Sequence, residues 1–442
     1  MTCLGKRGDE NEPDALASAG NRSGYSRTAF SASLEGALVR PGPRSFVRYC
    51  SPSGRDRPVG ASDELALPRG FRDILPTEAR ELHLIRDTLM RTFGSYGYVP
   101  LEPPSVEFAR ASSVDERRMM RFLDQGDLLA LRPDVTTAIA RVVAQRYRDA
   151  RGPLRLSYFT SVFRQERSMR GSEREYDQAG VELIGAAGTP GDAEVLALLN
   201  ESLMALGLRS FTIEVGHIGA IRQLFGGLPS DAVETILGHL RAADHIEAFR
   251  AASAAGLDGA GVERVRRALS ARGRDIENVD VAAAMELREA IHQARELFAG
   301  EPLWGVPDLS VLPALPYYTG VVFEVVSPHV GAPIAAGGRY DGLLALDRPA
   351  TGFGITIPLL HQALVADGWK PPAERPVISL EGGEDRARLR VASALRRDGF
   401  AVALGGLADS AGRDVRSVRV VDEATVELDG RRLSVRDLGG VL

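Results

Sequence analysis

Residues 154–184 read LRLSYFTSVF (154–163), RQERSMRGSERE (164–175) and YDQAGVELI (176–184). Two apolar runs rich in aromatic and β-branched residues flank a segment that is almost entirely polar. Strand, charged loop, strand predicts an antiparallel hairpin with a long tip. A doubly wound parallel sheet needs a helical crossover between neighbouring strands, and this stretch has none. The fold class read from it is α+β, an antiparallel sheet with flanking helices.

Upstream, Ile139, Val142, Val143 and Tyr147 share one side of a predicted helix over Thr136–Tyr147. Ordered structure is expected to begin near Leu67. Pro76 suits a first helical turn, where its missing N–H costs nothing. Leu82, Ile85, Leu89 and Phe93 then repeat at helical spacing, and Gly94 and Gly97 end the run. Tyr98–Leu101 is short and apolar, and Pro100, Pro103 and Pro104 confine it to a sheet edge.

Downstream, Thr189-Pro190 is expected to cap a helix carrying Val195, Leu199, Leu203 and Leu206, which Gly207 closes. Phe211–Val215 reads as a strand. From Ser230 to Gly300 the chain is rich in Ala, Leu, Arg and Glu, which predicts a helical insertion, about 229–300, within a β-rich domain. Strands are predicted at Val321–Val326 and Phe353–Ile357, then a helix at Pro358–Ala366. Lys370–Pro376 reads as a linker. The last stretch predicts a small α/β module over 376–442: a strand, a helix (Glu384–Arg397), then strands at Phe400–Leu404, Val415–Val421 and Thr425–Leu428. Asp429-Gly430 is a hairpin-turn signal.

The 442 residues suit two or three domains, and 44% hydrophobic with 26% charged residues is ordinary globular composition. The formal charge of −5 disfavours a chain-wide nucleic-acid surface. Cys3 and Cys50, both near the start, cannot support a disulfide framework or a cysteine metal site in the main body. No run approaches the roughly 18 apolar residues of a membrane span, so a cytoplasmic, reducing setting is the expectation. Residues 1–64 are rich in Gly, Ser, Pro and Arg without apolar periodicity. A disordered tail or a misassigned start nearer Val59 ranks above a targeting segment, because Asp9, Glu10, Glu12 and Asp14 spoil a transit pattern. There is no P-loop or H-E-x-x-H motif.

Four polar groups stand out. In Leu131-Arg132-Pro133-Asp134-Val135-Thr136, Pro133 keeps Arg132 extended, so Arg132 and Asp134 can project from a fixed turn. Taken alone, helix capping by Asp134 or Thr136 is the stronger reading. Arg164 and Glu166 fall on one face at a strand end, where an Arg and a carboxylate can bind oppositely charged ligand groups together. The alternative is a solvated hairpin tip. Gln178 and Glu182 share one face of a strand, and Gly180 between them leaves that face open. Such a stripe needs a partner, either a small polar ligand or Arg164. The fourth group is Tyr317-Tyr318-Thr319-Gly320 with Phe323-Glu324, then Gly337–Gly342, then Gly352-Phe353-Gly354. Here glycines permit close backbone approach, although most glycine pairs are simply turns.

In this order, from Leu67 to about Leu364, the segments resemble the histidyl-tRNA synthetase family of class II synthetase-like proteins. Arg164–Tyr176 resembles the class II second motif. Gln178–Glu182 and Tyr317–Glu324 resemble histidine-pocket segments, and Gly337–Gly342 resembles the family's glycine-rich strand turn. The resemblance implies a pocket of Asp134, Thr136, Arg164, Glu166, Gln178, Glu182, Tyr317, Tyr318, Gly338 and Arg339. Arg164 and Glu182 would be its charged anchors and Tyr318 a wall or hydrogen-bonding group.

The departures bear on activity. A histidyl-tRNA synthetase carries Arg-Gly-Leu-Asp before its Tyr-Tyr, where this chain has Pro313-Ala314-Leu315-Pro316. The third motif's Glu-Arg-Leu is replaced by Pro358-Leu359-Leu360. Losing one such electrostatic donor typically costs about two to three decades in rate, so adenylation is not expected. Asp134 followed by Thr136-x-x-Ile139-Ala140-Arg141 resembles the family's branch of ATP phosphoribosyltransferase regulatory subunits. That branch implies no catalytic residues, cofactor or metal in this chain. It also implies self-association as a dimer, assembly with a short-form catalytic subunit into a hetero-octamer, and histidine as effector. No nucleic-acid or membrane partner is expected. An active histidine–tRNA ligase and a stand-alone histidine sensor are the alternatives.

Overall fold

The computed structural model describes residues 66–441 apart from 113, 115, 166–172, 280–282, 298–304, 314, 344–347, 374 and 407–413. The expected tail at 1–64 lies outside the described residues.

Helix α1 (Pro76–Ser95) starts on its proline and buries Leu82, Ile85, Leu89 and Phe93. After it come β1 (Val99–Pro100), β2 (Val106–Phe108), β3 (Arg121–Asp124) and β4 (Asp127–Leu131), then α2 (Val135–Arg146). The hairpin β5 (Leu154–Phe163) and β6 (Glu175–Ile184) is antiparallel, with register from Leu154↔Ile184 to Phe163↔Glu175. Next are α3 (Thr189–Ala205), β7 (Thr212–His217), α4 (Ile218–Leu224), α5 (Ser230–Arg241), α6 (His245–Ala254), α7 (Gly259–Ser270) and α8 (Ala283–Leu297). The sheet resumes with β8 (Gly305–Pro307), β9 (Val321–Val326), β10 (Ala335–Arg339) and β11 (Ala350–Thr356), followed by α9 (Ile357–Ala366). The C-terminal module is β12 (Val377–Glu381), α10 (Asp385–Arg397), β13 (Val402–Leu404), β14 (Val415–Val420), β15 (Thr425–Leu428) and β16 (Arg431–Ser434).

Eight strands form the main sheet in the order β1-β5-β6-β11-β10-β9-β7-β8. As its prolines require, β1 lies at the edge, parallel to β5. Both faces of the sheet are covered. On one, Val181, Leu183, Phe323, Val325, Phe353 and Ile355 pack against α1, α3, α8 and α9. Each fully buried side chain of this size contributes roughly 1.5–3 kcal/mol. On the other, Tyr158, Val322 and Tyr340 pack against Val135 and Ile139 of α2 and against Tyr318. The helical insertion has its own core, with Ile221, Phe225, Ile236, Leu237 and Val265 buried together. Helix α8 instead joins the main core through Leu287, Ala290, Ile291 and Ala294.

Several local expectations change. Strand β10 was read only as a glycine turn, because two glycines hide its strand character; it lies near the sheet centre. A separate three-stranded sheet, β2-β4-β3, was not foreseen. Its strands are short, and Phe108, Phe122, Leu123 and Leu128 stay exposed, so no clean alternation marks them. Tyr147 is exposed rather than on the helix's buried side. Thr189 does not cap α3. The N-cap is Gly188, at φ +69°, with no side-chain cap.

That helix end is held from the sheet instead. Arg339 donates to Asp192 Oδ2 at 3.1 Å and to the Gly188 carbonyl at 2.8 Å, and its Nη2 lies 2.9 Å from Asp192 Oδ1. Both side chains are buried. An acid in the first turn also complements the helix dipole.

In the C-terminal module the sheet order is β13-β12-β14-β15-β16. Ile378, Leu380, Val418 and Val426 are buried with Val391 and Leu395 of α10. Asp429 and Gly430 have φ of +49° and +77°, the backbone that a type I′ turn requires and that Asp-Gly supplies.

Arg339→Met is expected to destabilise the chain by about 3–5 kcal/mol in urea unfolding, because it leaves Asp192 buried without its cation. Adding Asp192→Leu should recover part of that loss. Additive losses would show that the pair is not coupled.

Candidate ligand pocket

The pocket floor is built by register. Across β5, β6, β11 and β10, one row reads Leu156, Glu182, Gly352, Gly338, and the next reads Tyr158, Gly180, Gly354, Ala336. All project on the α2 side. Because the glycines carry no side chain, their neighbours lie down over them. A Cβ added at Gly352 would overlap Glu182 Oε2, and one at Gly354 would sit 2.5 Å from Gln178 Nε2. A Cβ at Gly180 would overlap the Tyr158 phenol. Gly180 therefore does not leave the face open as expected: it makes room for Tyr158, which sequence reading missed.

Glu182 is 1% exposed. It accepts from Thr136 Oγ1 at 2.7 Å and from the Tyr340 hydroxyl. Burial pushes its carboxyl up to about 8; the Tyr340 and Thr136 hydroxyls hold it down only in part, and the charge of Asp134 adds to the rise. Asp134 is the N-cap of α2, as the capping reading had it: its Oδ2 accepts from Thr137 N at 2.9 Å and Thr137 Oγ1 at 2.8 Å. Capping by Asp134 thus fixes the turn that delivers Thr136 to Glu182. Tyr317 packs against Tyr318 and Tyr340 with ring centroids 4.8 and 5.7 Å apart. Burial raises all three phenols, so they remain neutral. Among the described residues, Gln178 Oε1 is buried without a hydrogen-bond partner.

Asp134, Thr136, Gln178, Glu182, Tyr317 and Tyr318 are therefore gathered on one face. Arg164 acts on Tyr158 and donates its Nε to the Pro133 carbonyl at 2.9 Å. Glu166 lies outside the described residues. Gly338 serves the backbone: at φ +148°, a Cβ there would meet the Val321 carbonyl at 2.5 Å. Arg339 points to the opposite face, toward Asp192. Side chains alternate along a strand, so of the adjacent Arg339 and Tyr340 only one can reach Glu182, and it is Tyr340. That alternation was the available signal for it. Arg132 does not project either. It is fully buried and donates to the carbonyls of Pro103, Pro104 and Ser161 and to Thr160 Oγ1 at 2.5–2.8 Å. Pro313 is buried, Pro316 exposed and Leu359 half-buried against the main core.

The arrangement can hold a small polar ligand that hydrogen-bonds a carboxyl, phenol hydroxyls and an amide. Among the described residues no cluster of His, Cys, Asp or Glu could hold a metal ion, and no helix is long and apolar enough to cross a membrane.

The family model described as histidyl-tRNA synthetase matches residues 70–360. A protein of Moorella thermoacetica named ATP phosphoribosyltransferase regulatory subunit is 38% identical over 369 residues, covering 77% of this chain and 92% of that protein. The chain belongs to this family of regulatory subunits, built on the histidyl-tRNA synthetase fold. A second family member, from Symbiobacterium thermophilum, is 37% identical over 76% of this chain and 90% of its own length. A crystal structure from Bacillus halodurans, titled as an ATP phosphoribosyltransferase regulatory subunit/histidyl-tRNA synthetase, superposes with a TM-score of 0.70 at 30% identity. It covers 80% of this chain and 98% of its own. A histidyl-tRNA synthetase from a Nostoc species, 20% identical with a TM-score of 0.68 over 85% of this chain and 98% of its own, shares the fold.

Glu182 makes stability pH-dependent. Its folded value, about 8, lies above its ordinary value of 4.5. Its contribution is therefore fully present below 4.5 and lost as pH rises through 8. Glu182→Gln should remove that loss and gain on the order of 4–5 kcal/mol relative to the parent between pH 4.5 and 8. Parallel urea-stability profiles for the two proteins would contradict this.

Proposed function

We propose that this chain is a non-catalytic regulatory subunit of ATP phosphoribosyltransferase, required by a short-form catalytic subunit and carrying the histidine feedback of the first step of histidine biosynthesis. The observation that carries the reading is a contrast. The pocket keeps a buried carboxyl, an amide and three phenols, while Pro313, Pro316 and Leu359 stand where a synthetase needs charged groups for ATP. Binding without activation is what such a site supports. The name carried by relatives 37–38% identical agrees with it. Feedback then requires that histidine bind the active and inhibited states of the complex with different affinity.

Self-association as a dimer belongs to the same proposal, with assembly into a hetero-octamer in the cytoplasm. It is supported by the β2-β4-β3 sheet, where Val106, Phe108 and Phe122 are each 41–42% exposed and Leu123 74%. Apolar area of this kind on so small a sheet calls for a partner.

Reconstitution tests the function. The short catalytic subunit alone should be nearly inactive, become active on addition of this chain, and be inhibited by histidine. No gain in activity and no histidine response would refute the assignment, and robust ATP–pyrophosphate exchange with histidine would replace it with ligase activity. Within the complex, Glu182→Ala should weaken histidine inhibition at least tenfold while leaving the unfolding transition cooperative. An unchanged inhibition curve would place the effector elsewhere.

A further inference from the structure

Among the described residues, the groups that hydrogen-bond the Glu182 carboxyl carry no positive charge; Arg164, which acts on the neighbouring Tyr158, donates its Nε to the Pro133 carbonyl. Tyr340, at the end of β10, and Thr136, on α2, donate to its two oxygens. Tyr158 faces it from β5, and Tyr317 and Tyr318 from the loop before β9. Among the described residues, Asp134, at the α2 cap, is the charged group that acts on it, and it is an anion. The nearby buried guanidiniums are engaged elsewhere. Arg132 binds backbone carbonyls on both sides of its turn, and Arg339 pairs with Asp192 across the sheet. Gln178, on the same strand face, has a buried oxygen that lacks a donor among the described residues.

A carboxylate buried beside an anion, with only hydroxyls for company, is disfavoured against its neutral form. We propose that Glu182 is a proton donor in the ligand-bound pocket: it holds a neutral imidazole ring through its own proton, in an O–H···N hydrogen bond, so that the site selects the unprotonated ring. The proposal rests on the histidine reading of the pocket and specifies the protonation state in which that ligand is taken. Thr136 and Tyr340 keep the carboxyl fixed while its proton faces the ring. The complex carries one proton at the junction, supplied by the protein.

The proton count gives the test. Free imidazole titrates near 6.5 and free Glu182 at about 8. Between those values the free partners already hold the one proton the complex needs. The affinity of the full chain for L-histidine, measured calorimetrically from pH 5.5 to 9, should be flat from about 6.5 to 8. It should fall about tenfold per unit on either side. An ordinary carboxylate meeting an imidazolium would instead lose roughly 15-fold from pH 6.5 to 8. A carboxylate meeting the ligand's ammonium after shedding its proton would gain roughly 15-fold over the same span. Either slope overturns the proposal while leaving histidine binding in place. Absence of histidine binding at any pH overturns the histidine reading, and this extension with it. Infrared titration of the free chain is an independent arm. A carboxylic-acid band present at pH 7 in the free chain and retained in the histidine complex, and absent from Glu182→Gln, is expected; its loss on histidine binding would place the proton on the ring and overturn the proposal, because the pH profile counts the junction proton without locating it. A Glu182 already ionised at pH 7 overturns the proposal whether or not histidine binds.

Discussion

Strand β6 is buried on both faces, and the rest of the domain is arranged around that constraint. Val181 and Leu183 point into the main core, while half-buried Gln178 and fully buried Glu182 point the other way, toward α2. A carboxyl in that position is tolerated only with hydrogen-bond partners. Three elements far apart in sequence deliver them or hold their places: α2 brings Thr136, the end of β10 brings Tyr340, and glycines on β11 and β10 leave room for the side chains to lie flat. The hairpin register, the α2 cap and the glycine pattern are one solution to one burial problem.

The ionic anchors divide the labour. Arg339 and Asp192 fasten α3 to the sheet on the face away from the pocket, and Arg132 fastens the loop after β1 and strand β5 to the turn before α2. Both guanidiniums are consumed by the fold, and the described groups around Glu182 are phenols, a hydroxyl and an amide.

Much of this was legible in the residues. Pro76, the heptad-like spacing from Leu82 to Phe93, the two long apolar runs at 154–184 and the Asp429-Gly430 turn each act over a few residues, so local physics decides them. Asp134 as a helix cap was likewise a local matter. Strand β10 and the small β2-β4-β3 sheet escaped because glycine-rich or short strands carry no period of their own; their neighbours create them.

The sequence by itself determined the periodic helices and the long strands, the antiparallel order at the central hairpin and the kind of groups available to a site, because period, proline and glycine act along the chain. Only the tertiary structure decided which of those groups meet. Arg339 and Tyr340 are adjacent in sequence and opposite in destination, and Gly180 reads as open space until Tyr158 is seen lying on it. Cross-strand register chooses the partners of a buried side chain, and register is set by packing on both sides of the sheet.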